Sequence, residues 1–478
     1  MARFSITTLG CKVNQYDSAA LASRLCCAGM VPAEADNHPD LVVINTCCIT
    51  KRAMRKSRQT IRRKLRGNTN AVVLITGCYS DYDTEAIDQV LTSLGIPKHQ
   101  SHVAGHHSDL DDVIRKIVAN LKDNRPKAGQ PTESTHSPSS TRCSIRTRRN
   151  IAVKRKARGM RQIGSIRVFP DHQRAFVKVQ DGCDAFCSYC IVPYTRPVVW
   201  SRTIEQVRTE CLDLVDSGHK EIVLAGVFLG AFGRQSTIRR RWDNSKASLP
   251  ELLNQIADIE GLWRVRLSSL EPGDVSAELL DVYRNNEKAA PHFHLPLQSG
   301  SRRVLQRMRR QYTPREFRQT VDRIRSALDN AAITTDVIVG FPGESDEDFA
   351  ETLRMVRYAR FAKIHTFPFS AIEGTGAWEY RHEAPPADVV KARLKQLGEL
   401  ESQMATEFRK QFVGRRMEAL VESTRPAPGV RQGMTDRYIT VRFKPPENTR
   451  LTGKVVALDI DGVWSGGLYC HSPPSVLQ

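Results

Sequence analysis

The chain has 478 residues, with 71 Lys plus Arg against 52 Asp plus Glu and 12 cysteines. A mix of 40% hydrophobic and 26% charged residues fits roughly two to four folded domains and excludes global disorder and collagen-like repeats. No apolar run approaches the ~20 residues that span a bilayer and the start, MARFSITTLG, has no apolar signal core, so a cytoplasmic protein without a membrane partner is expected.

The net charge of +19 points to a polyanionic partner, most often nucleic acid, unless the whole proteome is basic. In a reducing compartment clustered cysteines point to metal or catalysis rather than to disulfides.

Residues 1–117 read as alternating strand and helix, a parallel α/β pattern. Strands are expected at 4–10, 41–45 and 71–77, with helices near 16–29, 50–66 and 83–94. A cysteine follows each strand at once: Cys11, Cys47 and Cys78. The carboxyl ends of parallel strands face the ligand crevice, so three strand ends would bring three thiols to one place. The alternative is three buried thiols, since free cysteine is among the most buried residue types. The stretch 51–66 holds nine Lys or Arg and no acid. Arg55, Arg58 and Arg62 on it are candidate contacts to a phosphate backbone, or simply a solvated helix face.

Residues 118–172 are rich in Lys, Pro, Ser, Thr and Arg, with ten Lys or Arg and no acid from Thr141 to Arg167. This reads as a flexible basic linker, either an arm for a phosphate backbone or a solvated insertion. A second α/β region spans 173–405, with strands expected at 174–180, 221–226, 264–270, 292–297, 334–340 and 363–369 and amphipathic helices between them. Six such units suggest a partial (β/α)6 barrel, whose active site belongs at the carboxyl ends of the strands. Short alternating runs over 410–470, separated by Gly and Pro, suggest a small antiparallel β-barrel.

The sharpest motif is DGCDAFCSYCIVPYTR, with Cys183, Cys187 and Cys190 in the spacing C-x3-C-x2-C. One loop thus supplies three thiolates. Three ligands on a four-iron cubane leave one iron open for a guest, by the same logic as an open catalytic zinc. A structural zinc loop is the alternative, but it needs a fourth protein ligand.

This loop resembles the cluster-binding loop of radical S-adenosylmethionine (SAM) enzymes, and with TLGCKVNQYDS, INTCCIT and TGCYS the chain resembles the methylthiotransferase family. The resemblance implies two [4Fe-4S] clusters, an auxiliary one on Cys11, Cys47 and Cys78 and a radical SAM one on Cys183, Cys187 and Cys190. The family pattern N-T-C selects Cys47 over Cys48. In the family, SAM chelates the open iron through its amino and carboxylate groups and is cleaved on reduction to a 5′-deoxyadenosyl radical; SAM is also the methyl donor. Tyr189 matches the aromatic position near the adenine. Gly226, Ser269, Glu271 and Gly340 match positions near SAM, and Arg196 and Gln298 are candidates for substrate contact. His294, Ser299, Asp336 and Glu344 lie in the same barrel-mouth motifs. Phe228 and Pro197 stand where the family usually has Asn and Gly.

The run G-C-K-V-N-Q-Y-D most resembles the threonylcarbamoyladenosine (MtaB-type) tRNA branch, and the C-terminal barrel resembles a TRAM RNA-binding domain. What this implies is a methylthio group placed on C2 of the adenosine at tRNA position 37, in the anticodon stem-loop, with an electron donor and a sulfur source as further partners. The unactivated C–H bond calls for cofactor chemistry rather than acid–base chemistry. The rivals are action on isopentenyladenosine, action on an aspartate of a ribosomal protein, and a non-catalytic RNA-binding protein with structural zinc.

Overall fold

The computed structural model describes residues 1–33, 38–68, 70–106, 108–123, 166, 169, 173–242, 248–446 and 449–477. Most of the basic stretch expected at 118–172 lies outside the described residues; its first residues complete a helix, Leu110–Asp123.

The N-terminal region is a five-stranded parallel sheet in the order Val31–Pro32, Arg3–Thr8, Leu41–Thr46, Val72–Gly77, Ser101–Ala104. The runs LVVINT and VVLITG are buried almost throughout, as expected where helices cover both faces of a parallel sheet. The basic helix Lys51–Leu65 begins where Thr50 accepts a hydrogen bond from the Ala53 N–H at 3.0 Å. It buries Met54, Ser57, Ile61 and Leu65, a helical stripe that leaves most of the cations outside.

In the central region six parallel strands run in chain order: Arg174–Asp181, Glu221–Gly226, Arg264–Leu267, His292–His294, Ala332–Val339 and Lys363–Pro368. The third and fourth touch only through isolated bridges, Val265 to Ala289 and Ser269 to His294, so the sheet curls as a partial barrel. Its main apolar core lies between these strands and the helices Ile204–Asp216, Leu249–Ala257, Ala277–Asn285, Pro314–Ala327 and Asp346–Ala359. Capping boxes at Thr203/Gln206, Thr313/Glu316 and Ser345/Asp348 start three of them. A further helix, Ala387–Lys410, packs on the last strand and leads into the C-terminal sheet.

That sheet has seven strands and is antiparallel except for one pair, Thr440–Phe443 beside Gly467–Cys470. The antiparallel expectation holds for the other pairs of that sheet. No described helix is long and apolar enough to cross a membrane.

Two buried ionic networks fasten the regions together. In the first, Arg196 and Lys178 of the central region both pair with Asp17 and with Asp181. Asp17 belongs to the N-terminal helix Lys12–Cys27. In the second, Glu221 holds Arg264 at 2.6 Å and Arg266 at 3.1 Å. Both guanidinium groups continue to the C-terminal backbone, reaching the carbonyls of Met434, Thr435 and Asp436 at 2.7–3.0 Å. Burial alone would raise the Glu221 carboxyl, but the two arginines bring it down to about 2.

Candidate active site

The N-terminal thiols arrive from three separate turns. Cys11 sits at the start of the helix Lys12–Cys27, Cys47 follows the strand Leu41–Thr46, and Cys78 opens the short helix Cys78–Tyr82. Gly77, just before Cys78, has φ +93°, and a Cβ there would stand 2.4 Å from the Thr46 carbonyl oxygen. Only glycine fits that turn. Asn14 ties the turns together. Its amide donates to the carbonyls of Leu9 and Thr46 at 2.9 Å, and its carbonyl oxygen lies 3.8 Å from Cys78 Sγ.

The second trio lies on one loop. The Cys183 N–H donates to the Arg196 carbonyl at 3.0 Å and the Cys190 N–H to the Cys187 carbonyl at 2.9 Å. Gly182 before it has φ +79°, with the Val198 carbonyl oxygen 1.8 Å from where a Cβ would stand. Arg310 closes the loop from the side. It donates to Cys187 Sγ at 3.3 Å and to the Tyr189 hydroxyl at 3.4 Å, and it pairs with Glu271.

The three N-terminal thiols line a cavity of about 830 Å³ that is also walled by Arg196, Gly226, Ser268, Ser269, His294 and Asp336 from the central region and by Tyr438 from the C-terminal sheet. The six thiols do not share one environment. Burial pushes Cys183 up to about 11 and Cys47 up to about 12, and it also raises Cys187 and Cys190. Cys78 goes the other way. A hydrogen bond with Cys48, helped by Arg196 and His106, outweighs its burial.

The Radical SAM superfamily profile matches residues 177–356, and that of Uncharacterized protein family UPF0004 matches residues 3–95. The chain is 33% identical over 464 residues to the threonylcarbamoyladenosine tRNA methylthiotransferase MtaB of Bacillus subtilis, covering 96% of this chain and 94% of that protein. It is 32% identical to a tRNA-2-methylthio-N(6)-dimethylallyladenosine synthase of Pelotomaculum thermopropionicum, covering 97% and 96%. The radical SAM methyltransferase TsrM of Kitasatospora setae overlays with a TM-score of 0.48 at 14% identity, covering 90% of this chain and 78% of that one.

The chain belongs to the radical SAM methylthiotransferase family. It is a radical SAM enzyme, and membership implies a [4Fe-4S] cluster and SAM.

The residues of this methylthiotransferase fit such groups. Three thiols converge at each site, and buried polar atoms nearby make no hydrogen bond to a described residue: Glu271 Oε2, Arg310 Nε and the cavity-lining Ser268 Oγ. Orphaned buried polar atoms signal a missing ligand.

The other residues singled out from the sequence fall into several places. Gly226 and Ser269 line the cavity, and a Cβ on Gly226 would meet Gln180 Oε1 at 3.0 Å. Tyr189 is half-buried beside the second trio, its hydroxyl on Arg310. Glu271 is engaged by Arg310 and, at 3.8 Å, by Arg239. Gly340 sits against Val390, its N–H donating to Glu344. Gln298, at φ +58°, bonds through its backbone to Asp336 and Ile338. Neither Gly340 nor Gln298 lines the cavity.

Arg196 does line it, but its charge is neutralised by Asp17 and Asp181. Burial alone would raise Asp181; Arg196 and Lys178 hold its carboxyl far below the usual range instead. Arg55 is exposed and Arg62 half-buried, while Arg58 donates to the Tyr79 hydroxyl at 2.6 Å. Cys48 is wholly buried in an apolar cluster and off the cavity wall, whereas Cys47 is on it. Phe228, the departure from the family pattern, packs against Cys183 and Ala231.

Sequence reasoning missed Asn14, Arg310, Lys12 and Tyr438. Asn14 and Lys12 flank Cys11 inside a motif already noticed, so proximity to a cysteine was their available signal. Arg310 stands in the Arg-rich run RMRRQYTPR and nothing in the sequence separates it from its neighbours.

Proposed function

We propose that this enzyme places a methylthio group on C2 of N6-threonylcarbamoyladenosine at position 37 of tRNA. The observation that carries the reading is one cavity onto which both the N-terminal thiols and the barrel's strand ends, Gly226 and Ser269, open. In this reading residues 1–117 form the auxiliary-cluster unit, 173–405 the radical SAM barrel and 410–470 a TRAM-like RNA-binding unit. Cys11, Cys47 and Cys78 would hold one [4Fe-4S] cluster and Cys183, Cys187 and Cys190 a second. Bound clusters and SAM supply the radical that opens the C–H bond, the sulfur and the methyl group.

The protein's own residues orient and shield. Gly226 leaves backbone room for a ligand at the barrel mouth, and Ser268 and Ser269 offer hydroxyls there. Glu271, held by Arg310, presents a carboxylate oxygen without a hydrogen bond beside the second trio. Arg55 and Arg62 offer cations to the anticodon stem-loop backbone. The adenosine must leave its stack to enter the cavity. The name of the Bacillus subtilis relative favours the threonylcarbamoyl substrate.

Mass spectrometry of tRNA nucleosides from a deletion strain tests the reading. The expected result is loss of the 2-methylthio form of threonylcarbamoyladenosine with accumulation of its precursor. Unchanged methylthio nucleosides would refute it, and selective loss of the isopentenyl form would move the enzyme to that substrate.

A further inference from the structure

Five Lys or Arg side chains line the cavity: Lys12, Arg196, Lys363, Arg409 and Arg437. Four have partners. Arg196 is held by Asp17 and Asp181, Lys363 by Glu401 at 2.9 Å, and Arg437 by Asp436. Arg409 donates to the carbonyls of Trp464 and Ser465 at 3.4 and 3.0 Å. Lys12 has no ion pair or hydrogen bond to a described residue. Its ammonium lies only over the ring of Tyr438, 5.9 Å from the centroid.

Lys12 shares its aromatic partner with two further cations, each already balanced, Arg174 by Glu422 at 2.9 Å and Arg266 by Glu221 at 3.1 Å. The same Tyr438 ring carries Arg174 at 5.1 Å and Arg266 at 4.9 Å, and His292 stacks on it at 4.9 Å. Tyr438 itself is fixed at φ +60°, a conformation that non-glycine residues adopt only when their surroundings impose it. Among the described residues Asp336 is the single carboxylate on the cavity wall, and it faces His294 at 3.3 Å. A half-buried cation without a counter-charge, among cations that all have partners, calls for an anionic guest. Lys12 and the first trio line the same cavity, so that anion would sit in the chamber where the base is to be placed. A phosphate of the RNA backbone is the other possible anion, but it would have to enter the cavity with the base.

We propose that Lys12 recognises the carboxylate of the substrate's N6 substituent and is the residue that favours a threonylcarbamoyl over an apolar isopentenyl group. This rests on the substrate reading above. An isopentenyl group would leave the ammonium unpaired and meet it with hydrocarbon. A carboxylate would gain a charge-assisted hydrogen bond there and be held with its adenine ring facing the cavity wall.

The test uses the cluster-reconstituted full chain and two synthetic anticodon stem-loops, one with threonylcarbamoyladenosine and one with its carboxamide analogue. Lys12→Gln should lose roughly 10- to 100-fold in kcat/KM on the carboxylate loop, the size of one charge-assisted hydrogen bond. On the carboxamide loop it should match wild type. Lys12→Arg should recover most of the loss. Iron content and the rate of SAM cleavage without RNA should stay at wild-type values in both variants.

An equal loss on the two loops assigns the ammonium to a phosphate or to folding and overturns the proposal. So does a fall in iron content, which would make Lys12 a counter-charge for the cluster. A wild type active only on an isopentenyl loop overturns the substrate reading and this proposal with it, whereas a wild type active on the carboxylate loop separates the two.

Discussion

The two cysteine trios are brought together by opposite routes. Cys183, Cys187 and Cys190 lie on one loop that a few backbone hydrogen bonds close locally. Cys11, Cys47 and Cys78 come from three turns that only the paired strands of a sheet bring together. Their company differs as well. The loop trio is flanked by an arginine already bonded to a carboxylate. The sheet trio sits near Arg196, whose counter-charges are Asp17 and Asp181, and next to the unpaired Lys12. A locally built site survives much that happens elsewhere in the chain; one built by tertiary pairing is only as sound as its sheet.

The strongest break in this comparison is removal of each trio. Replacing Cys183, Cys187 and Cys190 by Ala should abolish SAM cleavage and about half of the bound iron if, as proposed, each cysteine trio ligates its own centre. Replacing Cys11, Cys47 and Cys78 should remove a similar share of iron while SAM cleavage persists and methylthio transfer stops. Iron and sulfide counting with a SAM cleavage assay reads both.

Next in size is Glu221→Gln, which belongs to neither trio and so serves as the reference. It leaves Arg264 and Arg266 buried with no carboxylate between them, a change worth about 3–5 kcal/mol. Denaturant melts should show that loss, with both iron shares falling together. The pH dependence follows from the same pair. The Glu221 carboxyl is depressed from its ordinary 4.5 to about 2. Its contribution is therefore complete above pH 4.5 and disappears as pH falls through about 2. The variant should show a flatter stability profile across that interval.

Gly77→Ala sharpens the contrast. The new Cβ would meet the Thr46 carbonyl oxygen at 2.4 Å on a backbone at φ +93°, a strain of about 1–3 kcal/mol. Iron at the sheet trio should drop while the loop trio and SAM cleavage remain. The smallest effect is expected from replacing Arg55, Arg58 and Arg62 with Gln. That should weaken tRNA binding and reduce its salt slope by about 2–3, with iron content unchanged.

Much of this was legible in the residues. The apolar runs LVVIN and VVLIT announced buried parallel strands, and their cysteine endings announced a shared crevice. The barrel strands and most of their helices could be placed because each follows its own period between turn residues. The strands Val31–Pro32, Ser101–Ala104 and Arg431–Thr435 were not seen, since short edge or Gly-containing segments carry little periodic signal. The partners of charged residues were hidden for a different reason. Arg196 looked free for substrate because Asp17 lies far away in the chain, and Arg310 looked like any other arginine in a basic run. Pairing across such separations is set by the fold and leaves no local mark.

The quartet of Asp17, Lys178, Asp181 and Arg196 has a consequence for exchanging parts between relatives. It is a two-sided lock in which the N-terminal unit contributes one acid and the barrel the other three groups. A hybrid that swaps in a foreign first unit must carry an acid at that one place. Otherwise two cations are stranded on a single carboxylate, and the seam between the N-terminal sheet and the barrel opens first.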